Sequence, residues 1–180
     1  KHEFEKATSS QNMHEGKNYL TLQIAKKLYF AGLRYVEVGI ESSSDEVLKD
    51  CKRFSIKKEK EVDLVKAIEK IGIKVKTMFI YGLPLDNYKS CIDTLNFSKR
   101  INATYSQFSI FTPYPGTPVY DIEYKNKILT KKFEDFTQWQ LVFSHKNLSA
   151  ENLKSLVKKS YKEYYLRLSW LLKYFKIYRM

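Results

Sequence analysis

Three segments with the two-residue period of a β-strand, each preceded by a segment of helical period, are the strongest constraint on this chain. Residues 19–31 carry Leu20, Ile24 and Leu28 on one helical face, and Gly32 follows as a stop. In residues 33–40, Val36, Val38 and Ile40 alternate with Tyr35, Glu37 and Gly39, which reads as a strand closed by Glu41. Ser43 and Glu46 have capping-box spacing and predict a short helix to about Lys52. A second helix is expected after Ser55, with Leu64, Ile68 and Ile71 on its buried stripe and Gly72 at its end.

The next strand, residues 73–81, finishes in the unbroken apolar run Met78-Phe79-Ile80-Tyr81, a pattern that suits a parallel strand covered on both faces. Gly82-Leu83-Pro84 breaks it. A helix over 88–101 leads to a third strand over 105–111, and Thr112-Pro113-Tyr114-Pro115-Gly116-Thr117-Pro118 forms a stiff turn. Single helical crossovers between strands imply a parallel α/β sheet. Ligands gather at the carboxyl ends of such strands. Those ends are Glu41-Ser42, Gly82-Leu83-Pro84 and Thr112-Pro113-Tyr114, so the distinctive short motifs are expected on one rim.

Residues 121–148 read as irregular, anchored by Phe133, Phe136 and Trp139. From Ser149 a single long helix is expected, because Leu153, Val157, Tyr161, Tyr164, Leu168, Leu171 and Phe175 form one apolar stripe. The organisation expected is a core over 1–120 and an extension over 121–180.

Composition narrows the function classes. The charge of +12 comes from 32 basic and 20 acidic residues, but nearly all the basic ones are lysines mixed with Glu and Asp, as on a solvated face. Clustered arginine, the mark of phosphate-fork recognition, is missing, so nucleic acid is not the expected partner. Cys51 and Cys91 are the two cysteines and belong to no paired motif. His2, His14 and His145 lack metal-ligand spacing and read as ordinary polar residues. No apolar run reaches the roughly 18 residues that span a bilayer, and a cytoplasmic setting is expected.

Gly39-Ile40-Glu41-Ser42 followed by Val47-Leu48 and Arg53 resembles the fourth-strand region of radical S-adenosylmethionine (SAM) enzymes. Ile80-Tyr81-Gly82-Leu83-Pro84 resembles their fifth strand, and Phe108-Ser109-Ile110-Phe111-Thr112-Pro113-Tyr114-Pro115-Gly116-Thr117 their sixth. Order and spacing fit across about residues 30–175. The likeness is nearest to the subgroup with a cobalamin-binding domain, typified by the anaerobic magnesium-protoporphyrin IX monomethyl ester cyclase.

The resemblance implies the C-terminal half of a partial (β/α)6 TIM-like barrel with parallel strands and a C-terminal helical extension. It implies SAM and a [4Fe–4S] cluster as cofactors, with cobalamin in a full-length protein of that subgroup. Glu41 would accept hydrogen bonds from ribose hydroxyls or the amino group, and Arg53 would pair with the SAM carboxylate. Adenine would lie against the main chain of Ile80, Gly82 and Leu83 and of Thr112, Pro113 and Tyr114. Glu37, on the parity of Glu41, would sit one layer beneath if that side is the barrel interior, and is expected to be a solvent-side or ion-paired residue rather than a substrate contact.

The departures matter equally. The cluster-binding Cys-x3-Cys-x2-Cys loop does not occur in this sequence. By the same resemblance, Phe4-Glu5-Lys6-Ala7-Thr8-Ser9 reads as a worn remnant of the third strand, with Lys6 and Ser9 where the family tends to have Cys and Arg. The chain begins at Lys1, so the partner expected is the first half of the barrel, with or without a cobalamin-binding domain. The substrate expected for the whole enzyme is a tetrapyrrole, lipid or similar small molecule. Two other readings stay open: a non-catalytic interaction module whose basic C-terminal helix meets a partner or membrane surface, and an RNA-modifying enzyme.

Overall fold

The computed structural model describes residues 21–53, 57–130 and 132–178. Residues 4–9, expected as a strand remnant, and His2, His14, Tyr19, Leu20 and Ser55 lie outside the described residues. The elements run α1 (Leu22–Phe30), β1 (Tyr35–Glu41), α2 (Asp45–Asp50), α3 (Lys58–Ile71), β2 (Lys74–Tyr81), α4 (Tyr88–Ile101), β3 (Tyr105–Ile110), α5 (Ala150–Tyr165) and α6 (Leu168–Tyr178). The strands form one sheet in the order β1-β2-β3, and both pairings are parallel. The fold is therefore an open α/β sheet with the form of a partial barrel.

The alternation read in the sequence decides which face is covered. Val75, Thr77, Phe79 and Tyr81 of β2 are buried, as are Ser106, Phe108 and Ile110 of β3. The apolar ones join Val65, Ile68, Leu95, Ile101, Leu153, Leu156 and Tyr164 of the helices in one hydrophobic core. Residues of opposite parity, Lys76, Met78 and Ile80, are only half-buried. The expectation of a strand covered on both faces is thus corrected: among the described residues, helices cover one face, and the apolar run 78–81 has a second, barer side. Glu37 lies on that side, paired with Lys76 at 3.1 Å and accepting the Tyr35 hydroxyl at 2.7 Å. The tyrosine hydroxyl, with Lys76, holds its carboxyl below the usual range.

Among the described residues no strand pairs with β3 on the side opposite β2, and α5 satisfies that edge. Tyr161 and Tyr165, one helical turn apart, meet a strand whose outward backbone groups recur every two residues, about 6–7 Å. The Phe108 amide donates to the Tyr161 hydroxyl at 3.2 Å, and the Ser106 amide donates to the Tyr165 hydroxyl at 2.9 Å. Tyr165 in turn donates to the Ser106 carbonyl at 2.7 Å, and the Ile110 amide reaches the Gln138 carbonyl. Hydroxyls and a loop carbonyl replace the neighbouring strand, which leaves that edge no template for pairing.

Two further expectations are corrected. The turn before α2 is capped by Ser44, whose hydroxyl accepts from the Val47 amide, and not by a Ser43–Glu46 box. Ser43 is held by Thr94 of α4 instead. The long C-terminal helix is broken at Leu166 and Arg167. Arg167 donates to the Lys99 carbonyl and the Asn102 side chain at the end of α4, which turns the chain. After the break, Trp170 packs on the core, while Leu168 and Phe175 of the expected stripe are 70% and 63% exposed. Of the three expected aromatic anchors, Phe136 is buried, whereas Phe133 and Trp139 are exposed.

This packing can be tested at two residues. Replacing Tyr165 with Phe leaves a backbone N–H and C=O of β3 without their partner and is expected to cost about 1–3 kcal/mol, read as a lower urea midpoint at unchanged slope. Glu61 of α3 carries a buried carboxyl oxygen without a hydrogen-bond partner among the described residues, and burial pushes its pKa from 4.5 up to about 7. A raised carboxyl pKa favours the folded state below the unfolded value, so this contribution is lost as pH rises through about 7. Glu61→Gln is expected to narrow the difference in melting temperature between pH 5 and pH 8. An unchanged difference contradicts the assignment.

Candidate functional site

Because β1, β2 and β3 run parallel, their carboxyl ends open on one rim, and a cavity of about 480 Å3 lies there. That volume is in the range of small-molecule sites, roughly 300–1,000 Å3. Its polar wall is Glu41, Asp50, Cys51, Lys52 and Arg53; Ile80, Leu83, Pro84 and Phe111 form the apolar wall facing it.

The position of Glu41 follows from its backbone. The register with β2 slips between Gly39 and Glu41, and Glu41 adopts φ 65°, a left-handed conformation that is strained for a residue with a Cβ. The bulge folds its carboxylate back over Gly39: a Cβ on that glycine would lie 2.7 Å from Glu41 Oε1. The bulge breaks the alternation on which the parity with Glu37 rested, and the left-handed backbone of Glu41 brings its carboxylate beside Gly39. Arg53 donates from Nη2 to Glu41 Oε1, and both side chains are largely shielded from solvent. The preceding turn is fixed from below, where Thr94 accepts from the Ser43 amide at 3.0 Å.

The structure therefore brings together Glu41, Arg53, Ile80 and Leu83 of the residues singled out in the sequence. Gly82 (φ 84°) stands just behind the wall, its Cα side closed by Leu153 and Phe143, so an added Cβ would press on Leu153 at 3.2 Å. Thr112, Pro113 and Tyr114 do not line the cavity. Thr112 is turned inward and donates to the Thr137 carbonyl, Pro113 is buried, and Tyr114 donates to the Phe136 carbonyl. In their place Phe111, Pro118, Val119 and Ile122 supply the third side.

Sequence reasoning missed the group that holds the Gly82-Leu83 loop. Asp86 is 1% exposed; its Oδ2 accepts the Gly82 and Leu83 amides, both at 3.1 Å, and its Oδ1 accepts the Ser90 hydroxyl at 2.6 Å. Burial raises its pKa despite these three bonds. His145, read in the sequence as an ordinary polar residue, reaches the Leu83 carbonyl at 3.0 Å. Asn147 donates its side-chain amide to the Asp86 carbonyl at 3.1 Å. Asp86 stands just before the Asn87–Ser90 capping box of α4, the local signal that marks this corner. Asn147, which bonds the Asp86 carbonyl, and His145, which bonds the Leu83 carbonyl, lie some sixty residues away, where no local pattern reveals them.

The two cysteines do not fit an iron–sulfur cluster. Cys51 is half-buried, and burial, aided by Asp50, pushes its thiol up to about 11. Cys91 is buried on α4, its thiol also raised by burial. Among the described residues no group of His, Cys, Asp and Glu could hold a metal ion. Nor, among them, is any helix long and apolar enough to cross a membrane.

Gly39→Ala is the sharpest test of the site's geometry. The added methyl occupies the place of the Glu41 carboxylate, so the expected result is a displaced Glu41 and a broken pair with Arg53 at little cost to the fold. A crystal structure of the variant with the pair intact contradicts it.

Comparison with known proteins bears on this geometry. The family model described as the Radical SAM superfamily matches residues 15–98. A protein of Pyrococcus horikoshii named as an uncharacterized methyltransferase is 31% identical over 87% of this chain and 34% of its own length. The bacteriochlorophyllide d C-12(1)-methyltransferase of Chlorobaculum tepidum is 26% identical over 73% of this chain and 28% of its own length. The chain thus spans about a third of these relatives. Coproporphyrinogen III oxidase of Escherichia coli, a radical SAM enzyme, superposes with a TM-score of 0.53 at 19% identity, over 81% of this chain and 29% of the other. The radical SAM methyltransferase TsrM of Kitasatospora setae, solved with tryptophan and a SAM analogue, gives 0.50 at 23% identity over 54% and 19%. With its parallel half-barrel and its rim motifs, the chain is similar to proteins of the Radical SAM superfamily, whose model matches residues 15–98.

Proposed function

We propose that this chain is the SAM-orienting half of a radical SAM methyltransferase whose whole form acts on a tetrapyrrole or a similar flat, largely apolar molecule. The observation that carries the reading is the rim cavity that sets the Glu41–Arg53 pair against the apolar wall of Ile80, Leu83 and Phe111. A nucleoside bearing an amino-acid tail needs both: an apolar slot for its base, and a carboxylate and a cation for its polar groups. Glu41 accepts from ribose hydroxyls or the amino group, and Arg53 exchanges part of its bond to Glu41 for the ligand's carboxylate. Leu83 and Ile80 exclude water beside the base.

When bound, SAM supplies the transferable methyl or the 5′-deoxyadenosyl group. The residues of this chain bind and orient it. The three-cysteine cluster loop does not occur in this sequence, so no step through a cluster is assigned to these residues; the cluster, and cobalamin in this reading, belong to other parts of the whole enzyme. The methyltransferase reading draws support from the names of the Pyrococcus and Chlorobaculum relatives.

RNA modification is the second reading. The net charge of +12 favours it, together with a likeness to the tRNA-2-methylthio-N(6)-dimethylallyladenosine synthase of Buchnera aphidicola, 28% identical over 57% of this chain and 24% of its own length. Salt-sensitive retention of tRNA in a filter assay at physiological ionic strength would promote it over the first.

Isothermal titration with S-adenosylhomocysteine tests the main reading. Binding is expected in the wild type, weakened about tenfold or more in Glu41→Gln and in Arg53→Met, as befits loss of a charge-assisted bond. No binding, or equal binding in all three, contradicts it.

A further inference from the structure

The segment before α5 reaches the Gly82-Leu83 loop behind the cavity wall, and it does so through one imidazole. His145 is 9% exposed, and both ring nitrogens are engaged. The Asn147 backbone amide donates to Nδ1 at 3.0 Å, so Nδ1 carries no proton. The proton is therefore on Nε2, which donates to the Leu83 carbonyl at 3.0 Å. The same carbonyl accepts the Asp86 amide at 2.8 Å, so its acceptor capacity is filled. The ring of Phe143 stands 6.0 Å away, edge to face, and fixes the plane of the imidazole. From the other side Asp86 grips the Gly82 and Leu83 amides, and Asn147 grips the Asp86 carbonyl.

Leu83 thus has its amide held by Asp86 and its carbonyl held by His145, while its side chain faces the cavity beside Pro84. None of these contacts touches the cavity itself. Resting on the SAM reading above, we infer that His145 is a positioning residue: its Nε2–H sets the Leu83 peptide, and with it the apolar wall on which the ligand's base lies. A wall set by a hydrogen bond from a neutral ring has its depth and tilt fixed before the ligand arrives, so affinity is not spent on ordering the loop. The segment that reads as an irregular extension in the sequence is in this way part of the site.

A pair of substitutions separates this role from mere packing. The side-chain amide nitrogen of Gln reaches the place of Nε2 and can donate to Leu83; the side-chain oxygen of Asn reaches the place of Nδ1 and can only accept from Asn147. Both lose the ring. In the full chain, His145→Gln is expected to keep affinity for S-adenosylhomocysteine within about twofold of wild type, whereas His145→Asn and His145→Ala lose about tenfold. Amide exchange supplies a readout that needs no ligand. The Gly82, Leu83 and Asp86 amides are expected to exchange at least about fivefold faster in the Asn and Ala variants, and as in wild type in the Gln variant. Should the Ala variant fail to fold, the Gln–Asn comparison decides. Equal affinity and exchange in the Gln and Asn variants overturn the inference. If S-adenosylhomocysteine does not bind the wild type, the cofactor reading fails on its own account; equal exchange in all variants then overturns the role of His145, and faster exchange in Asn alone of the pair sustains it.

Discussion

A parallel strand at the end of a sheet must do something with the backbone groups on its outer side, and in this molecule the solution reaches as far as the rim. Tyr161 and Tyr165 place their hydroxyls on the Phe108 and Ser106 amides, which ties α5 along β3 at a fixed height. Tyr81 joins the same arrangement through Ser160 at 2.7 Å, and Tyr164 donates to the Ala103 carbonyl. With α5 fixed, Leu153 closes over Gly82, and the residues just before the helix arrive beside the Gly82-Leu83 loop. Hydroxyls at the helix–strand seam thus determine the position of a loop at the rim. The energetic reason is the cost of a buried, unpaired amide, about 1–3 kcal/mol each, which these hydroxyls remove.

The rim has a division of labour that follows from the chemistry of its two sides. On the β1 side a bulge and a left-handed Glu41 carry strain, and the Arg53 pair and the Thr94–Ser43 bond hold it in place. On the β2 side there is little charge at the surface; Asp86 is spent inward on amides, which leaves an apolar wall facing outward. An ion pair opposite a dry wall suits a ligand with a polar tail and a flat base, the chemical shape of SAM. Strain at Glu41 concentrates where ligand contact is proposed, as expected when a site is built before its ligand binds.

The sheet is legible in the sequence because both periods are clean. Val36, Val38 and Ile40 alternate, the 88–101 helix carries its caps, and glycines stand after α1 and α3, so the parallel α/β order is evident. The likeness of three ordered motifs then points to the rim and to Glu41 and Arg53. The features that stay hidden have specific causes. Three successive serines make the cap ambiguous, and only the Thr94 contact, some fifty residues away, assigns Ser43 elsewhere. The apolar period runs on past Leu166, but Arg167 finds better partners at the end of α4, and a periodicity argument is blind to that competition. Asp86, His145 and Asn147 are too far apart in sequence for any spacing rule to join them.

A crystal structure of this chain with S-adenosylhomocysteine tests the central claim most directly. The base is expected against Ile80 and Leu83, the ribose within hydrogen-bond reach of Glu41, and Arg53 turned from Glu41 toward the ligand's carboxylate. Density for the ligand away from the β-strand carboxyl ends, or a Glu41–Arg53 pair unchanged beside it, would contradict the proposed site.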